Sequence, residues 1–212
     1  MKKVLEFSLI ILFVITIQAA SLQSKNKMVA ENANEICPVL TGQQIPDVLV
    51  TNLDDTDKNL RELVSAKPTV LIFYRGGWCP YCNSHLSELI DVEDDLTKLG
   101  YQILAVSMDK PSKLKETLDK TEINYTLLSD ADAEAVKAFG LAFRVEDELN
   151  KKYLKMGIDL EASSGESHQI LPVPAAFILD TDGKIHYSYV NPDYKTRINA
   201  EVLLKAAETA SR

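Results

Sequence analysis

Residues 69–74 form a continuous apolar run of strand length, Thr-Val-Leu-Ile-Phe-Tyr. A strand with one face in water alternates polar and apolar side chains, whereas a continuous run needs cover on both faces. We therefore expect a central strand with helices packed on each side of it. The chain has to fold into a layered α/β structure.

The rest of the chain alternates between helix and strand patterns. A helix is predicted from Cys79 to Leu99, where Gly100 ends it as a C-terminal cap. Strands are predicted at 45–50, 101–107 and 125–128, with helices at 60–64, 111–120, 131–139 and 199–210. Such βα units predict parallel strands. Two strands at 175–180 and 184–190 flank a Thr-Asp-Gly turn and predict an antiparallel hairpin, so the central sheet should be mixed.

The chain divides into three predicted parts. Residues 1–20 combine a basic start with an apolar run and small residues, which is typical of a secretory signal peptide. An uncleaved membrane anchor is the alternative, although the run is shorter than the roughly 20 residues that span a bilayer. Residues 21–40 are predicted to be a linker, and residues 41–212 the folded domain. We therefore expect an exported protein, periplasmic or secreted.

Composition limits the partners. The 212 residues carry a formal net charge of −8, with 46% hydrophobic and 25% charged residues. One globular domain with a sizeable core fits these values. Nucleic acid and anionic membrane surfaces recruit clusters of Lys and Arg, so neither is expected as a partner beyond the signal segment.

A Cys-x-x-Cys pair, Cys79 and Cys82, starts the helix that follows the central strand. Proline suits the first helical position, so Pro80 makes Cys79 the N-cap and Cys82 the third helical residue. The N-terminal turn of a helix favours negative charge and lowers a thiol pKa, and the thiolate is the reactive form. We expect a dithiol redox centre with Cys79 the more exposed sulfur. A structural pair without turnover is the alternative, and a zinc site is disfavoured because no second cysteine pair completes four ligands.

In element order the chain resembles the thioredoxin superfamily over about residues 41–210. Two segments, Phe-Tyr-Arg-Gly-Gly-Trp-Cys-Pro-Tyr-Cys at 73–82 and Pro-Val-Pro-Ala-Ala-Phe-Ile-Leu-Asp-Thr-Asp-Gly at 172–183, look like the peroxiredoxin-like branch of the alkyl hydroperoxide reductase and thiol-specific antioxidant family. The resemblance implies a thioredoxin-like three-layer fold with helices on both faces of a central mixed sheet. It implies no cofactor and no metal.

The resemblance also implies roles for single residues. Peroxiredoxins typically carry Pro-x-x-x-Thr-x-x-Cys, and here Arg75 and Cys79 stand at the Pro and Thr positions, with Cys82 at the peroxidatic position. The Val173-Pro174 step resembles the cis-proline of thioredoxins, which presents a substrate disulfide to the dithiol. We expect Arg75 and Trp78 to lie beside the dithiol, with Val173 and Pro174 positioning the substrate.

Two enzymatic functions are compatible with these implications. A thiol-dependent peroxidase would reduce hydroperoxides through Cys82 and Cys79 and be recycled by a thioredoxin-type electron donor. A thiol-disulfide oxidoreductase would attack protein disulfides with Cys79, and Cys82 would resolve the mixed disulfide. A redox-inactive scaffold that binds a partner is the third possibility.

The sequence leaves the roles of three further residues undecided. His85 lies one turn beyond Cys82 and either tunes its pKa or packs on the helix surface. Cys37 could resolve Cys82 or stay a free thiol, and His168 could fold over the dithiol or stay in a solvated loop.

Overall fold

The computed structural model describes residues 29–210. The predicted signal peptide and the first part of the predicted linker lie outside these residues, so export stays a prediction. No helix within 29–210 has the length and apolar character needed to cross a membrane.

Within the described residues, nine strands form two sheets. The strands are β1 (Leu49–Thr51), β2 (Asp57–Asn59), β3 (Thr69–Tyr74), β4 (Gln102–Ser107), β5 (Thr126–Ser129), β6 (Ala142–Arg144), β7 (Ile170–Pro172), β8 (Ala175–Leu179) and β9 (Ile185–Val190). The main sheet has the order β2-β1-β5-β4-β3-β8-β9, and β6 pairs with β7 in a small separate sheet. β3, β4 and β5 run parallel, whereas β8 pairs antiparallel with both β3 and β9. The predicted mixed sheet and terminal hairpin are confirmed.

Seven α-helices accompany the strands in the described part of the chain. They are α1 (Leu60–Ala66), α2 (Pro80–Lys98), α3 (Pro111–Leu118), α4 (Glu134–Ala138), α5 (Asp147–Lys155), α6 (Leu160–Ser164) and α7 (Ala200–Ala210). A short 3₁₀ helix, Ala33–Glu35, precedes β1.

The central strand β3 is buried along its whole length. Leu71 and Phe73 point to one core cluster, together with side chains of α1, α4, α5 and α6. Val70, Ile72 and Tyr74 point to the other cluster, which α2, α3 and α7 cover. Successive side chains of a strand face opposite sides of the sheet, so the continuous apolar run contributes side chains to both core clusters. The predicted three-layer fold is confirmed.

Some boundaries differ from the predictions. The strand predicted over residues 45–50 pairs only at Leu49–Thr51, and the polar strand β2 that pairs with it was not predicted. The helix predicted over 131–139 begins at Glu134, yet the Asp130 carboxylate still accepts the Ala135 and Val136 N–H groups at 2.7 and 2.8 Å. Four elements occupy residues 142–172, where only a helix at 146–156 was considered; that helix is α5.

The described part of the predicted linker is packed on the domain. The Ala30 N–H donates to the Ala142 carbonyl at 2.9 Å, and the Val39 N–H donates to the Phe139 carbonyl at 3.1 Å. Val29, Ile36 and Val39 also pack against the core cluster of Phe73. The packed unit thus extends back to residue 29. The polar composition of residues 21–40 gave no sign of this packing, because the hydrogen bonds involved come from the backbone.

Phe139 tests the core on the α1 side of the sheet. It is fully buried, with its ring centroid 4.7 Å from that of Phe73 and 5.5 Å from that of Phe177. Replacing it with Ala should lower the free energy of unfolding by about 3–5 kcal/mol, because a large cavity forms. Urea unfolding followed by circular dichroism measures this change.

Val202→Ala is the matched control, because Val202 is 51% exposed on α7. Its effect should stay within about 0.5 kcal/mol. Equal losses for the two variants would contradict the assigned core.

Candidate active site

The junction between β3 and α2 places the two cysteines as the motif predicted. Cys79 is the N-cap of α2, with extended backbone angles of φ −93° and ψ 113°, and Pro80 occupies the first helical position. Cys82 is the third helical residue. Both sulfurs therefore lie at the helix N-terminus, where the unpaired backbone N–H groups favour a negative charge.

Both cysteines are buried. Each is 1% exposed, and both belong to the core cluster that contains Tyr74 and Ile198. The prediction that Cys79 is the more exposed sulfur is not confirmed, because the two residues are equally exposed. It rested on helix position alone, whereas Ile198 and Arg197 come from the far end of the chain to cover the pair. The two sulfurs are not bonded to each other.

The two thiols differ in pKa instead. The pKa of Cys79 is lowered to about 6, chiefly because the Cys82 side chain donates a hydrogen bond to it. Burial opposes this change, while the charge of Arg75, the Cys82 amide and the charge of Arg197 support it. Burial raises the pKa of Cys82, and so do its hydrogen bond to Cys79 and the charge there. The surroundings of the pair thus favour the thiolate form of Cys79 and the thiol form of Cys82.

Arg75 is a buried cation inside an aromatic cage. It is 3% exposed, and its guanidinium carbon lies 4.9, 5.4 and 4.3 Å from the ring centroids of Trp78, Tyr153 and Tyr194. Its Nη2 donates to the Tyr153 hydroxyl, and its Nε has no hydrogen-bond partner. No carboxylate within residues 29–210 lies within 4 Å of it. A buried charge is costly without a counter-charge, so the Cys79 thiolate is the anion that this cation favours.

Trp78 connects the cage to the dithiol. It is partly buried and packs against both core clusters, including the one that contains the cysteines. Its ring centroid lies 5.9 Å from that of Tyr153. The structure thus brings together Arg75, Trp78, Cys79 and Cys82 from one short segment.

Val173 and Pro174 directly precede β8. Val173 is fully buried, and its N–H donates to the Leu141 carbonyl at 2.9 Å. Pro174 lines the same cavity as Arg75. No peptide bond within residues 29–210 is cis, so the expectation of a cis-proline here is wrong. The Pro174 carbonyl accepts the Asn191 N–H at 3.3 Å, which holds this step against the segment after β9.

Three site residues escaped sequence reasoning. Arg197 places its Nη2 3.5 Å from the Cys82 Sγ, although 115 positions separate them. Tyr194 stacks on Arg75 from the same segment, and Tyr153 reaches the cage from α5. Their segments are polar and lack a motif. Arg197, just before the predicted helix at 199–210, was the one sequence feature available. Its position in the sequence did not indicate how far it lies from the cysteines.

Asp109 was also missed. It follows β4, is 2% exposed, and its Oδ2 accepts the Gly77 N–H at 2.6 Å. Burial raises its pKa to about 7, and the Gly77 hydrogen bond opposes that change. Gly76, at φ +151°, lies so close that a Cβ there would come within 2.7 Å of the Asp109 Oδ1. Asp109 therefore anchors the glycine loop that leads into Cys79.

The remaining candidates lie outside the charged centre. His85 is 3% exposed, and burial together with the Arg197 charge lowers its pKa to about 4, so it is neutral. The His168 Nε2 donates to the Ala131 carbonyl at 2.8 Å, and its Nδ1 accepts the Ile170 N–H, so this residue braces a loop. Cys37 is a free, exposed thiol. Within residues 29–210 no cluster of three His, Cys, Asp or Glu side chains could hold a metal ion.

Comparison with known proteins places these features in a family. Residues 41–188 match the AhpC/TSA family. Peroxiredoxin Bcp of Escherichia coli is 30% identical over 167 residues, covering 79% of this chain and 94% of that protein. A peroxiredoxin of Mycobacterium tuberculosis, named putative, is 25% identical over 71% of this chain and 84% of its own length.

Solved structures show the same fold. Reduced Prx3 of Vibrio vulnificus in complex with hydrogen peroxide superposes with a TM-score of 0.64 at 24% identity, over 80% of this chain and 99% of that one. Peroxidoxin BcpB of Mycobacterium tuberculosis gives 0.62 at 20% identity, over 80% and 96%. From the family match, the identity to its members and the shared thioredoxin-like fold, we conclude that the chain belongs to the AhpC/TSA family, a family of thiol-dependent peroxidases.

Proposed function

We propose that this protein reduces hydroperoxides with the Cys79 and Cys82 dithiol and that a thioredoxin-type dithiol protein returns the pair to its reduced form. One observation carries the proposal. A buried Arg75 without a carboxylate partner lies beside a cysteine whose pKa is about 6. The thiolate is the nucleophile toward peroxides, and this site holds one ready near neutral pH.

The arrangement supports a complete reaction. The Cys79 thiolate attacks one oxygen of the hydroperoxide, the O–O bond breaks, and Cys79 becomes a sulfenic acid. The alkoxide, or hydroxide, takes the proton of the Cys82 thiol. The new Cys82 thiolate then attacks the Cys79 sulfur and releases hydroxide, which a proton from solvent converts to water. A hydroperoxide and two thiols thus give an alcohol, water and one disulfide, and the donor dithiol takes over the disulfide in exchange.

The two arginines support different steps. Arg75 stabilises the charge on Cys79 before attack. Arg197 lies 3.5 Å from the Cys82 Sγ and lowers the pKa of that thiol, against the effect of burial. It therefore favours the Cys82 thiolate that forms once the proton has left. The reverse order, in which Cys82 attacks the peroxide, corresponds to the peroxidatic position of peroxiredoxins. The cysteine variants below distinguish the two orders.

A thiol-disulfide oxidoreductase is the second candidate. The low pKa of Cys79 beside a raised pKa of Cys82 favours it, because such a pair suits attack by one sulfur and resolution by the other. Its substrate, however, is a disulfide on a protein surface, and each cysteine is only 1% exposed. Small peroxides are the better match for buried sulfurs.

Turnover of the two substrates separates these functions. The purified protein, supplied with thioredoxin, thioredoxin reductase and NADPH, should consume hydrogen peroxide or cumene hydroperoxide much faster than it reduces insulin disulfides. NADPH oxidation and insulin turbidity measure the two rates. Fast insulin reduction with negligible peroxide consumption would select the second candidate.

Single cysteine variants test the order of attack. In Cys82→Ser, one peroxide equivalent should leave a stable sulfenic acid on Cys79, which dimedone labels and mass spectrometry locates. Cys79→Ser should lose sulfenic acid formation by a factor of about 10² or more, because the remaining thiol has a raised pKa. Cys37→Ser should leave disulfide formation unchanged. Labelling of Cys82 in Cys79→Ser at the wild-type rate would establish the reverse order.

Removing the Arg75 charge tests the observation that carries the proposal. In a Cys37→Ser, Cys82→Ser background, Arg75→Met should raise the pKa of Cys79 by about 1 or more relative to the same background with Arg75 kept, because a nearby positive charge favours the thiolate. Absorbance at 240 nm against pH reports the thiolate, with Cys82→Ser and Cys37→Ser backgrounds to isolate Cys79.

Arg144→Met is the control, since Arg144 is exposed and donates to the His168 carbonyl. Its titration should match that of the parent protein. An unchanged Cys79 pKa in Arg75→Met would assign Arg75 a packing role only.

A further inference from the structure

A cavity of about 270 Å³ lies beside Arg75. Its walls include the aromatic rings of Phe143, Tyr153 and Tyr194, together with Leu149 and Pro174. Hydrogen peroxide would fill a small part of it, because the volume corresponds to about nine water molecules at ~30 Å³ each. The lining combines these apolar surfaces with charged and amide side chains, including Arg75. A concave site of this size that joins apolar walls to a few polar groups is typical of a small-molecule site.

The outer wall of this cavity comes from the N-terminal segment. Residues 29–36, here called the strap, contribute positions 31–34 to the lining. The strap is held by two backbone hydrogen bonds of 2.9 Å, from the Ala30 N–H to the Ala142 carbonyl and from the Arg144 N–H to the Ala30 carbonyl. Val29 and Ile36 pack against the core at its two ends. The wall is therefore a fixed part of the fold.

The strap is not part of the family match, which begins at residue 41. Phe143 and Leu149, which line the same cavity, belong to β6 and α5. The enclosure thus depends on a segment of this chain that the shared family region does not include.

Charges around the cavity restrict the ligand. Arg75 borders the cavity, and its guanidinium can donate a hydrogen bond to a polar oxygen of a ligand. Glu31 and Glu146 in the lining are balanced by Arg75 and Arg144, so the lining has no net formal charge. A neutral molecule with an apolar body and one polar end fits such a lining.

We propose that the strap is a specificity element that encloses, with Phe143 and Leu149, a pocket for the apolar body of a neutral organic hydroperoxide. The peroxide group then lies toward Arg75 and the dithiol. This inference rests on the proposed peroxidase function and adds the residues that select the substrate.

Filling the pocket tests the inference. Leu149→Trp places a larger side chain in the cavity and should lower the ratio of kcat/KM for cumene hydroperoxide to that for hydrogen peroxide by about tenfold. Ala33→Trp should do the same from the strap side. Leu154→Trp and Glu35→Trp are the matched controls, because neither residue lines the cavity and both are exposed. Their ratios should stay within about twofold of the wild type.

Binding of 2-phenylpropan-2-ol, the alcohol that reduction of cumene hydroperoxide gives, separates this inference from the proposed function when it is measured by calorimetry. Binding that both pocket variants weaken, without peroxide turnover by any form, would retain the pocket and overturn the peroxidase. Peroxide turnover with an unchanged substrate ratio in both pocket variants would retain the peroxidase and overturn the pocket. An equal loss of the ratio in pocket variants and controls would also overturn it.

Discussion

The site depends on one shared proton and the charge that it leaves behind. The Cys82 thiol donates a hydrogen bond to Cys79, and the resulting negative charge lies at the start of α2, next to the buried guanidinium of Arg75. Each partner makes the other less costly to bury, since an isolated charge in an apolar core is unfavourable. Without the thiolate, the buried Arg75 guanidinium would have no anion within 4 Å among residues 29–210.

Keeping this charge in place requires contributions from distant segments. Tyr153 from α5 and Tyr194 from the segment after β9 form the cage around Arg75, and Arg197 approaches the second sulfur. Asp109, after β4, holds the glycine loop through the Gly77 N–H. The main sheet brings these segments to one edge because β3 and β4 run parallel and end at the same side. The fold therefore places the positive charges of Arg75 and Arg197 close to the sulfur atoms at the start of α2.

The burial of the cysteines also bears on which substrates can reach them. Buried sulfurs are poorly placed to meet a disulfide on another protein, yet they suit a small substrate that enters a lined cavity. The strap closes that cavity from outside the family-matched region, and Arg75 borders both the cavity and the dithiol. One guanidinium thus connects the sulfur that would react to the pocket that would hold the substrate.

Much of this protein follows from local sequence pattern. The apolar run at 69–74, the helical spacing after Cys79 and the turn at 181–183 are short-range signals, and the buried strand, the helix with its N-cap cysteine and the hairpin all form where they were expected. Tertiary structure alone decided the burial of Cys79, the trans peptide before Pro174, the packing of residues 29–40, and the approach of Arg197. Periodicity and capping act over a few residues, so the sequence determines which elements form and where the cysteines lie on them. Contacts between residues 115 positions apart depend on how the layers pack, and such a contact places the Arg197 charge beside the Cys82 sulfur.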